Sequence, residues 1–378
     1  MMMLLTTLAS AVLSDYVWHN ATNLTLRNHY SWGGAPLPNS FARLPLSAEA
    51  TVRSPVWSLS TDAAGVQVTF ATDASSVALR WRVGESSCPG EATVPIVLCA
   101  GADLYEFQTS TQKWRWVATT TKIGVDAGIV GKAMDEQSLY SPPHDGATRS
   151  YLLNLPMYNK VLSMEIGVPS PALIRPLRAS DPGALKAMRP IVWYGTSITQ
   201  GAAASRPGAA TTNIVSRELG VEVMNFGFSG NGLLEKSVGA YLVQINASAI
   251  ILDCLHNMNY SNVRTNTEPL VRQLRKARPD TPIVFAEGVP YGLSWLQNAS
   301  SSRQKQLLRR AEFRAAYDRL VASGVAGLHY VEGDQLFDSV PKGPLWQPTE
   351  AGTHPSDLGM ASMAEFWIRY LRRLLAIP

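Results

Sequence analysis

Five short apolar runs, at residues 191–194, 221–226, 249–253, 282–286 and 328–331, recur through the second half of this 378-residue chain. Each is too short for a helix, and every successive pair is separated by enough chain to hold one. A run that is apolar at nearly every position is buried on both faces, as in a parallel sheet covered by helices. The chain between the runs carries matching apolar stripes. Phe313, Ala316, Tyr317, Leu320 and Val321 share one helical face, and Met360, Met363, Ala364, Trp367, Leu371 and Leu374 share another. The pattern predicts an α/β domain over 190–378, a three-layer α/β/α flavodoxin-like fold with a doubly wound parallel sheet.

Residues 15–168 read differently. Val66 to Phe70 and Val77 to Val83 alternate apolar and polar residues around turn-forming chain at 72–76, which predicts a hairpin. Further strands are expected at 104–107, 113–118 and 162–168, and many short strands at such spacing suggest an all-β sandwich or jelly roll. Trp32, Trp57, Trp81, Trp114 and Trp116 fall here. Their rings could stack on sugars, which makes this a candidate carbohydrate-binding domain, although tryptophans in sandwiches more often fill core. The proline-rich stretch 169–189 reads as a linker.

Hydrophobic residues make up 46% and charged residues 16%, with a net charge of +4 and no dense basic block. That composition describes a globular protein and argues against nucleic acid as a partner. No apolar stretch is long enough to span a bilayer, so no transmembrane segment is expected. Residues 1–14 are apolar before Asp15 and form a candidate secretory signal that lacks a basic start. Sequons at Asn20, Asn23, Asn246, Asn259 and Asn298 add to an expectation of secretion. In an oxidising compartment, Cys88 and Cys99 are an expected disulfide pair, leaving Cys254 free. Three dispersed cysteines without metal-ligand spacing predict no metal, and no cofactor is called for.

Three strands of the second half end in distinctive turns: Gly195-Thr196-Ser197, then Gly227-Phe228-Ser229-Gly230-Asn231-Gly232, then Asp253-Cys254-Leu255-His256-Asn257. Gly352-Thr353-His354-Pro355 precedes the last helical stripe. Taken singly, Ser197 could merely cap a helix, Gly230 permit a positive φ, and Asn257 steady a loop. Serine, glycine, asparagine and histidine in this order resemble the GDSL-type esterases, the SGNH hydrolases, over residues 190–378. The resemblance implies Ser197 as nucleophile and His354 as general base. It implies an oxyanion hole from the backbone N–H groups of Ser197 and Gly230 and the side-chain amide of Asn257. A serine hydroxyl needs a neighbouring imidazole to take its proton, and the tetrahedral oxyanion needs donors fixed in advance.

Two positions depart from the family pattern. Thr196 stands where many members have aspartate, and Ala351 stands where the family places the acid, three residues before the histidine. Either Glu350 substitutes through its longer arm, or the site runs as a Ser197–His354 dyad. His256 competes for the base, but His354 holds the family's position. The resulting expectation is a serine esterase acting on small acyl esters, acetyl foremost, on a small-molecule or carbohydrate substrate. Two alternatives stand beside it: an acyltransferase using the same acyl-enzyme, and a carbohydrate- or surface-binding protein whose catalysis has lapsed.

Overall fold

A computed structural model describes residues 15–32, 41–84, 94–121, 123, 135–143, 145–292, 301–341 and 346–378. Ten strands precede residue 190: β1 (Tyr16–Asn20), β2 (Thr25–Arg27), β3 (Gln67–Thr72), β4 (Val77–Val83), β5 (Asp103–Gln108), β6 (Lys113–Thr119), β7 (Asp135–Tyr140), β8 (Arg149–Asn154), β9 (Val161–Pro169) and β10 (Ile174–Pro176). They form two antiparallel sheets, ordered β1-β9-β4-β7 and β10-β3-β8-β5-β6, with β2 also paired to β3. Val68, Phe70 and Leu153 from one sheet meet Leu79, Trp81 and Ile166 from the other in a common core. This is the expected all-β sandwich.

The expected hairpin does not form. β3 and β4 belong to different sheets, so chain 73–76 arches across the sandwich. The alternation of β3 misleads because every residue from Gln67 to Thr72 is buried. Its apolar residues face the sandwich core, and the alternate residues are also covered, because this sheet is packed on both sides. The stretch read as a linker is likewise structured, since β10 extends the edge of β3 in the register Ile174↔Thr72.

Beyond residue 190 the main sheet consists of β11 (Ile191–Gly195), β12 (Val223–Gly227), β13 (Ala249–Asp253), β14 (Ile283–Ala286) and β15 (Leu328–Val331). They are all parallel, in the order β12-β11-β13-β14-β15, which is the 2-1-3-4-5 order of flavodoxin-like sheets. On one face Tyr194, Phe226, Leu252 and Phe285 pack with α5 (Lys236–Leu242), α6 (Tyr260–Ala277) and α7 (Ser301–Ala322). On the other, Trp193, Ile251 and Val284 pack with α4 (Thr211–Leu219) and α8 (Asp357–Leu374). Within α7 the buried stripe is Phe313, Ala316 and Leu320, whereas Val321 is exposed. Among the described residues no helix is long and apolar enough to cross a membrane.

The two halves share a core. Leu44, Ala48, Val52 and Val56, the last on α1 (Ser54–Ser60), join the cluster of Met224, Phe226 and Leu242. Trp32 and Trp57 pack against that cluster, and Trp32 meets the rings of Phe226 and Tyr241 edge-on. Trp81 and Trp114 are buried, so of the five tryptophans only Trp116 is exposed, at 51%. Cys254 is free and buried, and Cys99, in α2 (Ile96–Ala100), is disulfide-bonded. Cys88, its expected partner, lies outside the described residues, as do residues 1–14, His144 and Asn298.

Candidate active site

The turns after β11, β12 and β13 lie at the carboxyl ends of three adjacent strands, at the point where the strand order reverses. Open α/β sheets bind ligands there because loops diverge and helix N-termini converge. After β11 the chain makes one helical turn, α3 (Ser197–Gln200). Thr196 is its cap, its hydroxyl accepting from Ile198 N–H at 3.2 Å, and Gly201 ends it at φ 113°. Ser197 is therefore the first helical residue, whose N–H has no partner within the helix.

His354 reaches Ser197 from another direction. β16 (Thr349–Glu350) and β17 (His354–Pro355) form a two-stranded hairpin leading into α8. The Ser197 hydroxyl lies 2.9 Å from His354 Nε2. Glu350 is the direct cross-strand partner of His354, which puts both side chains on one face of the hairpin. Glu350 Oε2 is buried and has no hydrogen-bond partner among the described residues. Ala351, at the position where the family has its acid, is exposed and sits in the tight turn at φ 46°.

The expected oxyanion donors Gly230 and Asn257 lie on the turns after β12 and β13. Gly230 adopts φ 67° with open space where a side chain would project. At Gly232 a Cβ would fall 2.1 Å from the Gly195 carbonyl, so this loop can press against the end of β11 only as glycine. Gly232 N–H donates to Asn257 Oδ1 at 3.2 Å. With its oxygen held there, the Asn257 amide presents its Nδ2 hydrogens elsewhere, as a donor must. Beside Asn257 opens a cavity of about 440 Å³ lined by Met258, Tyr260, Tyr291 and Leu308.

His256 does not pair with Ser197. Its Nε2 donates to the Val289 carbonyl at 2.8 Å, and its ring meets Tyr291 edge-on. Burial lowers its pKa to about 3, so it stays neutral. Behind α3, Asp253 Oδ2 accepts from Trp193 Nε1 and Thr199 Oγ1, both at 3.2 Å, and burial raises its carboxyl to about 7.

Sequence reasoning missed the residues that hold the nucleophile turn from the N-terminal half. Tyr158 OH donates to the Ser197 carbonyl at 3.2 Å. Gln200 donates to Asp62 at 3.0 Å and to the Met157 carbonyl at 3.2 Å, while its own oxygen accepts from Ser229 N–H at 2.9 Å. Arg43 donates to the carbonyls of Asn225 and Gly227 at 3.1 and 2.6 Å. Arg53 pairs with Glu235 and reaches Asn231 Oδ1 at 2.9 Å. Of these, only Gln200 adjoins a recognisable motif.

Residues 188–372 match the GDSL-like lipase/acylhydrolase family, and residues 16–174 match the N-terminus of Esterase_SGNH_hydro-type. No match is found among curated proteins. Among solved structures, a protein from Bacteroides ovatus described as a GDSL-like lipase is 28% identical, with a TM-score of 0.83 over 96% of this chain and 99% of that one. The salicylyl-acyltransferase SsfX3 of a tetracycline biosynthetic pathway is 18% identical, with a TM-score of 0.71 over 96% of this chain and 99% of that one. A family two carbohydrate esterase from Clostridium thermocellum, solved with cellohexaose, is 14% identical, with a TM-score of 0.55 over 83% of this chain and 94% of that one. With both halves matched in order and the Ser, Gly, Asn and His turns gathered at one sheet edge, the chain belongs to the GDSL-like lipase/acylhydrolase family, the SGNH hydrolases.

Proposed function

We propose that this enzyme is a serine esterase that removes a small acyl group, acetyl being the simplest, from a carbohydrate ester. The observation that carries the reading is the 2.9 Å contact between Ser197 Oγ and His354 Nε2, made beside an asparagine amide whose orientation is fixed. In this reading His354 takes the Ser197 proton as Oγ attacks the ester carbonyl. The carbonyl π electrons move onto oxygen, and that oxyanion accepts from Ser197 N–H, Gly230 N–H and Asn257 Nδ2. Collapse expels the alcohol, protonated by the imidazolium, and leaves an acyl-Ser197. Water, deprotonated by His354, then attacks the acyl-enzyme and releases the carboxylic acid.

Glu350 is the proposed acid. A carboxylate on the same hairpin face as His354 favours the imidazolium that forms at each attack. The carbohydrate part of the reading draws on the likeness to carbohydrate esterases and on Trp116. Its exposed ring has Arg206 5.8 Å from its centre, and Arg206 pairs with Asp357 at the start of α8, just after His354. Export is also part of the proposal, supported by the disulfide at Cys99 and by sequons Asn20, Asn23, Asn246 and Asn259, all exposed. A second reading, acyl transfer to an alcohol other than water, uses the same acyl-enzyme and is favoured by the likeness to SsfX3.

The test is covalent capture by a fluorophosphonate probe, read by mass spectrometry, together with turnover of an aryl acetate. Labelling at Ser197, and loss of both labelling and turnover in Ser197→Ala without unfolding, are the expected results. An unlabelled Ser197, or unchanged turnover in Ser197→Ala, would overturn the reading and leave the lapsed binding protein in its place. A rate that rises with added alcohol, with ester formed, would select the transferase.

A further inference from the structure

The sandwich also reaches the histidine side of the cleft, through residues to which the proposed mechanism gives no role. Asp103, the first residue of β5, is fully buried. A carboxylate there is costly unless other groups answer its charge. Its Oδ1 accepts from Gly208 N–H at 2.9 Å, and its Oδ2 stands 3.2 Å from Arg206 Nε. Neither Oδ2 nor Nε makes a hydrogen bond among the described residues, so each is answered by the other's charge. Burial raises the Asp103 carboxyl to about 6, which leaves it mostly ionised at neutral pH. Two residues on, the Tyr105 ring carries the Arg217 guanidinium at 4.2 Å, and Arg217 donates to the Gly208 carbonyl at 3.1 Å. Both polar groups of Gly208 are thereby tied to β5.

Chain 205–208, which follows the nucleophile turn, is held on a second side by the start of α8. Asp357 Oδ1 accepts from Ser205 N–H at 2.7 Å, and its Oδ2 accepts from the Ser205 hydroxyl at 2.5 Å. Arg206 Nη1 stands 3.8 Å from the same Oδ2. Asp357 is the first residue of α8, an end that suits a carboxylate, and it lies three positions after His354. A chain of alternating charge, Asp103–Arg206–Asp357, thus joins the sandwich to the segment that carries the imidazole. We propose that Asp103, Arg206 and Asp357 are positioning residues that fix His354 against Ser197. Their task presupposes the roles proposed above for Ser197 and His354. The hold is at one remove, through the start of α8, whereas Tyr158 bonds the Ser197 turn directly. It matters because a displacement of about 1 Å at a reacting pair can cost on the order of 10²-fold in rate.

The experiment is steady-state kinetics on an aryl acetate, with Tm measured alongside, for the full chain and for Asp357→Asn, Asp103→Asn and the double variant. Asp357→Asn removes the charge from a side chain that is 45% exposed and keeps its shape. Its kcat should fall about tenfold with KM within about twofold of wild type, and Tm should be nearly unchanged. Asp357→Glu, which restores the charge, should recover most of the loss. Asp103→Asn should lower kcat by a similar factor, and the double variant should be no slower than the slower single one, because a chain already cut loses nothing when cut again. Wild-type kcat in Asp357→Asn, a fall in Tm without a fall in kcat in Asp103→Asn, or losses that multiply in the double variant would each overturn the proposal. Should Asp103→Asn fail to fold, Arg206→Lys replaces it in the cycle with the same expectation, since it keeps a cation for Asp103 but offers one ammonium where the guanidinium served two carboxylates. Absence of turnover in the wild-type protein would sink the esterase reading and the positioning chain together. Turnover in the wild type with an unmoved kcat in the variants would sink the positioning chain alone.

Discussion

The two sides of the catalytic cleft are built in opposite ways. The turns that carry Ser197 and Gly230 are held from outside their own sheet, by Tyr158, Gln200 with Asp62, Arg43 and Arg53, most of which cross from the N-terminal half. His354, the proposed base, stands on a hairpin of two residues per strand that leads into α8. Oxyanion stabilisation demands donors fixed before charge develops, and dense cross-links achieve that. A base that must accept and return a proton needs less rigidity and more electrostatic support. Under the proposed mechanism the N-terminal half would belong to the catalytic frame, since its side chains bond the Ser197 and Gly227 turns.

Substitutions on each side put that contrast at risk. The largest effect should come from Asn257→Ala, with kcat reduced by about 10²- to 10³-fold and KM little changed. A change confined to KM would make Asn257 a substrate contact instead. On the histidine side, Glu350→Gln should lower kcat/KM by roughly 10- to 100-fold, as expected when a carboxylate near an imidazolium is neutralised. Adding Ala351→Asp to that variant should restore part of the loss, since aspartate tolerates the positive φ at 351. An inert Glu350→Gln would leave a Ser197–His354 dyad.

Smaller effects test the frame itself. Tyr158→Phe removes one hydrogen bond to the Ser197 carbonyl worth about 1 kcal/mol of stability, so Tm should fall by about 1–2 °C, and kcat should fall about fivefold if the same bond also fixes the turn for reaction. No change in kcat would show that the cross-link serves folding alone. Asp253→Asn should barely touch turnover but should alter the pH dependence of stability. Its native pKa near 7 lies above the unfolded value, so the native state holds the proton more tightly. Stability is therefore lost as pH rises from about 4 to 7, at about 1.4 kcal/mol for each tenfold difference in proton affinity. Asparagine should flatten that decline and raise stability at pH 8. Asp62, also raised to about 7 by burial, would keep part of the slope.

The parallel sheet was legible because four of its five strands, β11 to β14, are buried at every position, so apolar runs mark them whatever surrounds them. The contact of Ser197 with His354 was foreseeable because both sit in short turns whose residue types resemble the family's motifs, and the roles of Gly230 and Asn257 remain part of the proposal. β3 was misread because its Gln67 and Thr69 are buried against other protein rather than exposed to water, and alternation cannot distinguish the two. Arg43, Asp62 and Tyr158 were invisible for a related reason. Their partners lie 39 positions away for Tyr158, 138 for Asp62 and 182 for Arg43, and nothing local in sequence marks such a contact.

The shared core has a consequence during synthesis. Val52 and Val56 emerge from the ribosome well before Met224, Phe226 and Leu242, against which they pack. At about 5–20 residues per second, the apolar face of α1 waits for its partners on the order of 10 s or more. The sandwich strands through β10 can close in that interval, but the segment around α1 cannot settle until the α/β sheet is under construction. A translation pause between residues 60 and 224 should thus lengthen the period in which the nascent chain offers this face to chaperones or to other chains. A pause after residue 245 should have no such effect.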